Sequence, residues 1–544
     1  MTYDEIAKKL FRVMEETRCL VILDDIWSLE TWNLLKVAFP NEKTESTILL
    51  TTRYQAVALP PNRNCFLYKL QPLNENASLE LFEKIAIFGR ADIDLRIYTK
   101  MRELGIKMLR HCVGLPLAVI VLAGVLSRKN TIKEWETVHE NVHECIRRGI
   151  GHEEYEGASW VLALSYDHLP YHLKPCLLYL GHYSEDLEIS VSTLTKLWVA
   201  EGLISLRQPR HVSGETTEEI ARNCLSELVE MCVVQVGTTG STGTMKTCQI
   251  HDLIRNLCLL KAKEESFVHN CYSLQENEAT NPFTSSMVAK AAPLGKVRRL
   301  SIYLDENPDM LLSSRYETNG HVRSLLYFGL TERRQKSEKL LLSLLMNFKV
   351  LRVLKVEDMK VEVELPSEIG NIIHLRFLSV RGSKMKRFPS FLGNLICLQT
   401  LDFRVQKSHM VIPNVIWNMK HLRHIYLPIH YTARGNLKLS TLGHLQTLDV
   451  LSTEYCDLKD VAGLTNLRKL NIKLASSVEN LEEILKSAGS MLNRVRSLFV
   501  YIDYNSARKS SYEEQVKQIV SSCQHIYKLK LFGPTAELPK ELHN

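Results

Sequence analysis

The feature that most constrains this 544-residue chain is a repeat. A Leu-x-x-Leu-x-Leu spacing recurs at Leu351/Leu354/Val356, Leu375/Leu378/Val380, Leu398/Leu401/Phe403, Leu422/Ile425/Leu427, Leu445/Leu448/Val450 and Leu467/Leu470/Ile472. Successive copies start 22 to 24 residues apart. A unit of that length cannot bury its apolar side alone, so it must stack on its neighbours, and the pattern predicts a solenoid with one short strand per coil. Weaker copies begin at Val297, Val322, Val495 and Ile526, and the stretches Leu365–Asn371 and Phe388–Asn394 read as convex return turns. The residues between the leucines are expected on a concave face open to solvent. They include Lys355, Phe377, Arg381, Thr400, Asp402, His424, Tyr426, Asp449, Lys469, Asn471, Phe499 and Tyr501. Such a mixture of aromatic and charged groups suits protein recognition.

Charge separates this half from the rest. The chain carries +7 overall, but residues 296 to 544 alone carry about +13, leaving about −6 for the first part and predicting different partners for the two. No apolar run reaches the roughly 18 residues of a membrane span. Cys112 to Leu126 comes nearest and is broken by Gly114, Pro116 and Gly124. Met1 to Lys9 is polar, so no secretory leader is expected. The 13 cysteines form no Cys-x-x-Cys pair, which fits a reducing compartment.

Near the start, Leu20-Val21-Ile22-Leu23 runs into Asp24-Asp25-Ile26-Trp27. A short run apolar on both faces predicts a strand inside a parallel sheet, with ligands bound beyond its carboxyl end. Asp4 to Glu16 precedes it as an amphipathic helix, and Leu29 to Phe39 follows as another. Ser46 to Leu50 then repeats the theme and ends in Thr51-Thr52-Arg53. Two parallel strands joined by a helix would set these polar ends side by side. Asp24 and Asp25 could hold a cation there, or could cap a solvated acidic turn; Arg53 could meet a phosphate or pair with a carboxylate. Tyr68 to Leu73 reads as a further strand and Ala77 to Phe88 as a helix. Gly114-Leu115-Pro116-Leu117 opens a buried helix with proline in its first turn.

The middle reads as a winged helix: helices over Leu173–Tyr179, Val191–Glu201 and Glu218–Met231, a strand over Cys232–Val236, and a helix entered through Ile250-His251-Asp252. The segment Val191 to Ile204 carries only Lys196 against Glu201, so no DNA-binding role is expected of it. His251 alone is a helix-start histidine. Gln275 to Pro293 reads as a polar linker.

Taken together, LVILDDIW, ILLTTR, YKLQPLNENASLELF, CVGLPLA, LYLGHYSEDLEI, KLWVAEGLI and IHDLIRNL occur in an order and at distances that resemble the NB-ARC and winged-helix motifs of plant nucleotide-binding leucine-rich-repeat disease-resistance proteins. Trp27 resembles the coiled-coil branch. The resemblance implies a fold class of α/β, a partial P-loop-like sheet, followed by helical and winged-helix modules and a leucine-rich-repeat solenoid. It implies boundaries at 1–75, 76–150 (helical), 151–270 (winged helix), 271–295 (linker) and 296–544 (repeats). It also implies ADP or ATP with Mg²⁺ as ligands. Asp24 would hold the metal, Asp25 would act on the hydrolytic water and Arg53 would sense the γ-phosphate. Thr52 would bind the nucleotide beside Arg53, Pro116 would pack on adenine with Gly114 and Leu117 nearby, and His251 would meet the diphosphate of an inactive state. Ile250 stands where the family has methionine. No Gly-x-x-x-x-Gly-Lys-Ser/Thr occurs in the chain, so the sequence is expected to begin inside the domain, and turnover would be weak at most. The function implied is an intracellular immune receptor, cytoplasmic or peripheral at the plasma membrane. It would recognise a pathogen effector or a guarded host protein through its repeats, and could self-associate. The alternative is a repeat-based binding module or decoy that binds no nucleotide.

Overall fold

The computed structural model describes residues 3–26, 28–39, 46–52, 55–58, 66–87, 94–147, 156–184, 187–204, 215–272, 298–304, 321–329, 348–359, 362–385, 387–406, 410–456, 460–461, 463–474, 495–502 and 527–532. Trp27, Arg53, the Gln275–Pro293 linker and the segment after Phe532 lie outside them. The chain divides into two compact units, residues 1–72 with 276–290, and residues 73–275 with 291–544.

In the first unit, α1 (Tyr3–Glu16) leads into β1 (Leu20–Leu23), then α2 (Leu29–Leu35), β2 (Thr47–Leu50) and the short α3 (Gln55–Ala58). Ser28 caps α2 by accepting from the Thr31 N–H at 3.0 Å. The strands are parallel, with Leu20 opposite Thr47 and Leu23 opposite Leu50. Ser46 ties them to α1: its hydroxyl accepts from the Cys19 N–H and donates to the carbonyls of Met14 and Thr17. Burial departs from expectation. Leu20, Ile22 and Leu49 are 64%, 61% and 52% exposed, so one face of this two-stranded sheet is uncovered rather than sandwiched. The strand expected over Tyr68–Leu73 does not form either. No described strand offers it a ladder, and Tyr68 and Leu70 stay exposed.

The second unit opens with five helices: α4 (Glu75–Ala86), α5 (Leu95–Leu109), α6 (Pro116–Ser127), α7 (Ile132–Arg147) and α8 (Glu156–Asp167). The apolar α6 is buried along most of its length, as its sequence demands, with Pro116 at its first position. Gly124 lets α6 approach the backbone of Met231, where a Cβ would stand 2.5 Å from the carbonyl oxygen. The winged helix follows: α9 (Lys174–Leu180), β3 (Ile189–Ser190), α10 (Val191–Glu201), α11 (Thr217–Glu230), β4 (Gln235–Val236), β5 (Thr247–Gln249) and α12 (Asp252–Glu264). Its three strands are antiparallel in the order β3-β5-β4. Thr216 and Glu219 close a reciprocal capping box on α11.

Among the described residues, the repeats form one parallel sheet of 11 strands. It runs through β6 (His269–Tyr272), β7 (Arg299–Leu304), β8 (Ser324–Gly329) and β9 (Val353–Glu357). A short outer pair, β10 (Glu362–Val363) with β12 (Lys384–Met385), flanks β11 (Phe377–Ser379). The sheet continues through β13 (Thr400–Asp402) and β15 (His424–Tyr426), beside a second outer pair of β14 (Met410–Ile412) and β16 (Tyr431–Ala433). β17 (Thr447–Ser452), β18 (Lys469–Leu474), β19 (Ser497–Ile502) and β20 (Lys528–Phe532) complete it. Leu354, Leu378, Leu401, Ile425, Leu448 and Leu470 stack as its spine, each at most 1% exposed. Return turns at Ser367–Asn371 and Ser390–Asn394 are 3-10 helices. The sheet starts before the expected 296 boundary, because His269–Tyr272 pairs with Leu300–Tyr303 without any leucine spacing of its own.

Candidate functional site

At the carboxyl ends of β1 and β2 the polar residues are brought together. The Thr51 hydroxyl accepts from the Asp25 N–H at 2.8 Å and donates to the Asp24 carboxylate. The Thr51 N–H bonds the Leu23 carbonyl, the Ile26 N–H bonds the Thr51 carbonyl, and the Thr52 hydroxyl donates to the Ile26 carbonyl at 2.6 Å. Asp25 is held at φ 54, a left-handed conformation that aspartate tolerates better than most residues. The Thr52 hydroxyl therefore serves the turn. Among the described residues no three His, Cys, Asp or Glu side chains gather as a metal site. Mg²⁺ is commonly held by one or two carboxylates, water and substrate phosphates, so the oxygen chemistry of Asp24 fits it.

The Gly114–Leu117 turn is strained. Val113 adopts φ 51 and Gly114 φ 70, a pair of left-handed residues of which the first is β-branched. The turn is pinned by the Leu73 N–H donating to the Gly114 carbonyl at 2.8 Å. Val113 and Leu115 are 62% and 37% exposed, Pro116 is exposed and Leu117 is half-buried. The turn thus presents a small apolar surface beside the start of α6.

His251 is the N-cap of α12. Its Nδ1 accepts from the Leu253 N–H at 3.2 Å and lies 2.9 Å from the Asp252 carboxylate. The helix-start role legible in the residues is thus present, with the ring a third exposed.

The concave face differs most from expectation. Lys355, Phe377, Thr400, Asp402, His424, Tyr426 and Asp449 are buried, each at most 8% exposed. The winged helix covers part of the row: α10 lies against β9 and β11, and Leu326, Val353 and Phe377 join the same apolar cluster as Leu194 and Trp198, while Asp402 and Asp449 are met from within the repeats by Arg404 and Asn471. Polar groups stitch the contact. Arg299 donates to Glu201 at 2.7 Å. Glu218 accepts from Arg423 at 3.1 Å and lies 3.3 Å from His424 Nε2, while Gln446 Nε2 donates to it at 3.4 Å. Glu219 pairs with Arg468. The Tyr303 hydroxyl donates to the His182 carbonyl, and His182 Nδ1 meets Ser301 Oγ. Arg423 and Arg468 occupy one register position, the residue after the first apolar residue of each copy, which also holds Arg298, Arg323, Arg352, Arg376 and Arg496. That arginine spacing is visible in the sequence beside the leucine spacing.

Comparison with known proteins places these parts. Residues 1–92 match the NB-ARC domain, 183–258 the disease resistance protein winged helix domain and 321–541 the leucine-rich repeat region. Among Arabidopsis thaliana relatives, the probable disease resistance protein RF45 is 34% identical over 514 residues, covering 94% of this chain and 48% of its own. The probable disease resistance RPP8-like protein 2 is 35% identical over 471 residues, covering 85% and 49%. A fold of α/β, winged-helix and leucine-rich-repeat parts in this order defines a class of nucleotide-binding repeat proteins. The chain belongs to the plant NB-ARC leucine-rich-repeat disease-resistance family, and it spans about half the length of the curated relatives it matches. Among the described residues, no helix is long and apolar enough to cross a membrane.

Proposed function

We propose that the chain is the switch and sensor portion of an intracellular plant immune receptor, with ADP or ATP and Mg²⁺ as switch ligands. Asp24 would hold the metal, which when bound neutralises phosphate charge. Asp25, Thr52 and Arg53 would face the phosphates, Gly114, Pro116 and Leu117 the base, and His251 the diphosphate of the closed state. The repeats would take an effector or guarded host protein at their half-exposed end, around Lys469, Asn471, Phe499 and Tyr501. The observation that carries this reading is the seam of Glu201, Glu218 and Glu219 against Arg299, Arg423 and Arg468. It joins the lobe bearing His251 to the repeats, so whatever binds the repeats can bias that lobe. The proposed setting is cytoplasmic.

Calorimetric titration of the full chain with ADP and Mg²⁺ tests the proposal. Saturable binding that weakens in Asp24→Ala and Pro116→Ala supports it. A folded chain that binds neither ADP nor ATP overturns it and leaves the repeat-based binding module.

A further inference from the structure

At the end of the repeat array where the sheet begins, a cleft of about 540 Å³ is lined by Arg298, Arg323, Arg352, Arg376, His321 and His374. The four arginines sit one per coil, each immediately before one of the adjacent strands β7, β8, β9 and β11, joined by backbone bonds from Arg323 to Arg298, Arg352 to Arg323 and Arg376 to Arg352. Neighbouring strands lie about 4.8 Å apart, so four cations fall within a span on the order of 14 Å. Farther along the same row the charges are answered: Arg423 meets Glu218, and Arg468 meets Glu219. Here they are not. Among the described residues, none of the four forms an ion pair with a carboxylate. The nearby Glu201 is engaged by Arg299, and Arg352 reaches only the Glu201 backbone carbonyl, at 3.2 Å. Partial burial, then the crowding of like charges, pushes Arg323 and Arg352 below the usual arginine range.

We propose that this cleft is a binding site for a ligand carrying clustered phosphate groups. Planar guanidinium forks match phosphate oxygens in pairs, and a multiply charged anion would relieve the repulsion within the row. His321 and His374, both exposed at the mouth, add hydrogen-bond donors. The site uses none of the residues assigned to the nucleotide, so it stands or falls separately from that reading.

The test is calorimetry of the full chain with inorganic tripolyphosphate, and co-sedimentation with phosphatidylcholine vesicles containing phosphatidylinositol bisphosphate. Arg323→Gln/Arg352→Gln/Arg376→Gln is expected to weaken binding by about tenfold or more, and added salt to weaken it steeply. Arg387→Gln, which removes an exposed arginine outside the cleft, is expected to leave it unchanged. Binding of the free probe assigns a soluble ligand; binding of vesicles alone assigns a lipid headgroup. Equal binding by parent and triple variant, or none by either probe, overturns the proposal. Should the triple variant fail to fold, phenylglyoxal labelling of the parent chain decides. Tripolyphosphate must then shield Arg323, Arg352 and Arg376 while leaving the exposed Arg387 reactive, and equal labelling of all four overturns the site.

Discussion

His424 Nε2 lies 3.3 Å from Glu218 Oε1, and both side chains are almost wholly buried where the repeats meet the winged helix. Burial is the strongest influence on His424 and pushes it down to about 4, against the pull of the Glu218 carboxylate. The imidazole is therefore neutral near pH 7, with Nε2–H donating to Glu218 and Nδ1 accepting from the Thr447 hydroxyl at 3.1 Å. Burial works to raise Glu218, but the His424 hydrogen bond and the Arg423 charge hold it well below the usual carboxylate range.

This pair makes the seam acid-sensitive. A histidine that titrates near 4 when folded and near 6.5 when unfolded leaves the unfolded chain holding more protons between those values. Stability is then greatest above about pH 6.5 and falls by about 3 kcal/mol toward pH 4. Glu218, depressed in the folded state, adds a further loss only below the ordinary carboxylate range. Urea unfolding across this window should reveal the slope, and His424→Gln should flatten it. An unaltered slope in that variant would show that His424 is not its source.

Arg299 and Glu201 form the most buried ion pair of the seam, their side chains 8% and 0% exposed. Arg299→Ala should cost about 3–5 kcal/mol, because it strands a buried carboxylate. Replacing both, Glu201→Leu with Arg299→Met, should cost far less. Methionine keeps an apolar stem against Phe267, over which the guanidinium lies at 4.0 Å. Thermal unfolding of the three chains is the check; equal losses in single and double variants would refute the account.

Gly124 offers a packing test. Its added Cβ would meet the Met231 carbonyl oxygen at 2.5 Å, and backbone cannot swing aside as a side chain can. Gly124→Ala should destabilise by about 1–3 kcal/mol. Gly443→Ala, with nothing within 4 Å of the new methyl, should be close to neutral.

Thr51 holds two neighbours at once, so Thr51→Val should loosen the β1 edge by about 0.5–1.5 kcal/mol, and Thr51→Ser should largely restore it. Hydrogen exchange at the Asp25 amide reads the change directly. If the proposed switch holds, Mg²⁺-dependent ADP binding weakens in the valine variant as well.

Much of this was legible because local pattern carries it. The leucine spacing marks the coils, Pro116 marks the start of α6, and the apolar runs before Asp24 and Thr51 mark two parallel strands. What escaped depends on distant chain. Phe377 and His424 alternate with leucines as a solvent-facing row would, and only α10 and α11, far earlier in sequence, bury them. β6 has no leucines to announce it and is recruited by pairing with β7. Leu20 and Ile22 read as doubly buried because periodicity reports apolarity, while burial requires a neighbouring layer. The bond from the Thr52 hydroxyl to the Ile26 carbonyl likewise joins two segments far apart in the chain, so no local pattern announces it.

Leu326, Val353 and Phe377 share their apolar cluster with the winged helix. Swinging the array away would wet all three, at about 5 kcal/mol or more. Winged helix and repeats are thus held together by apolar burial as well as by charge, and high salt by itself should not part them. If the proposed switch holds, any trigger must favour the parted form by more than that penalty, which sets a floor on how selectively it grips one shape over the other.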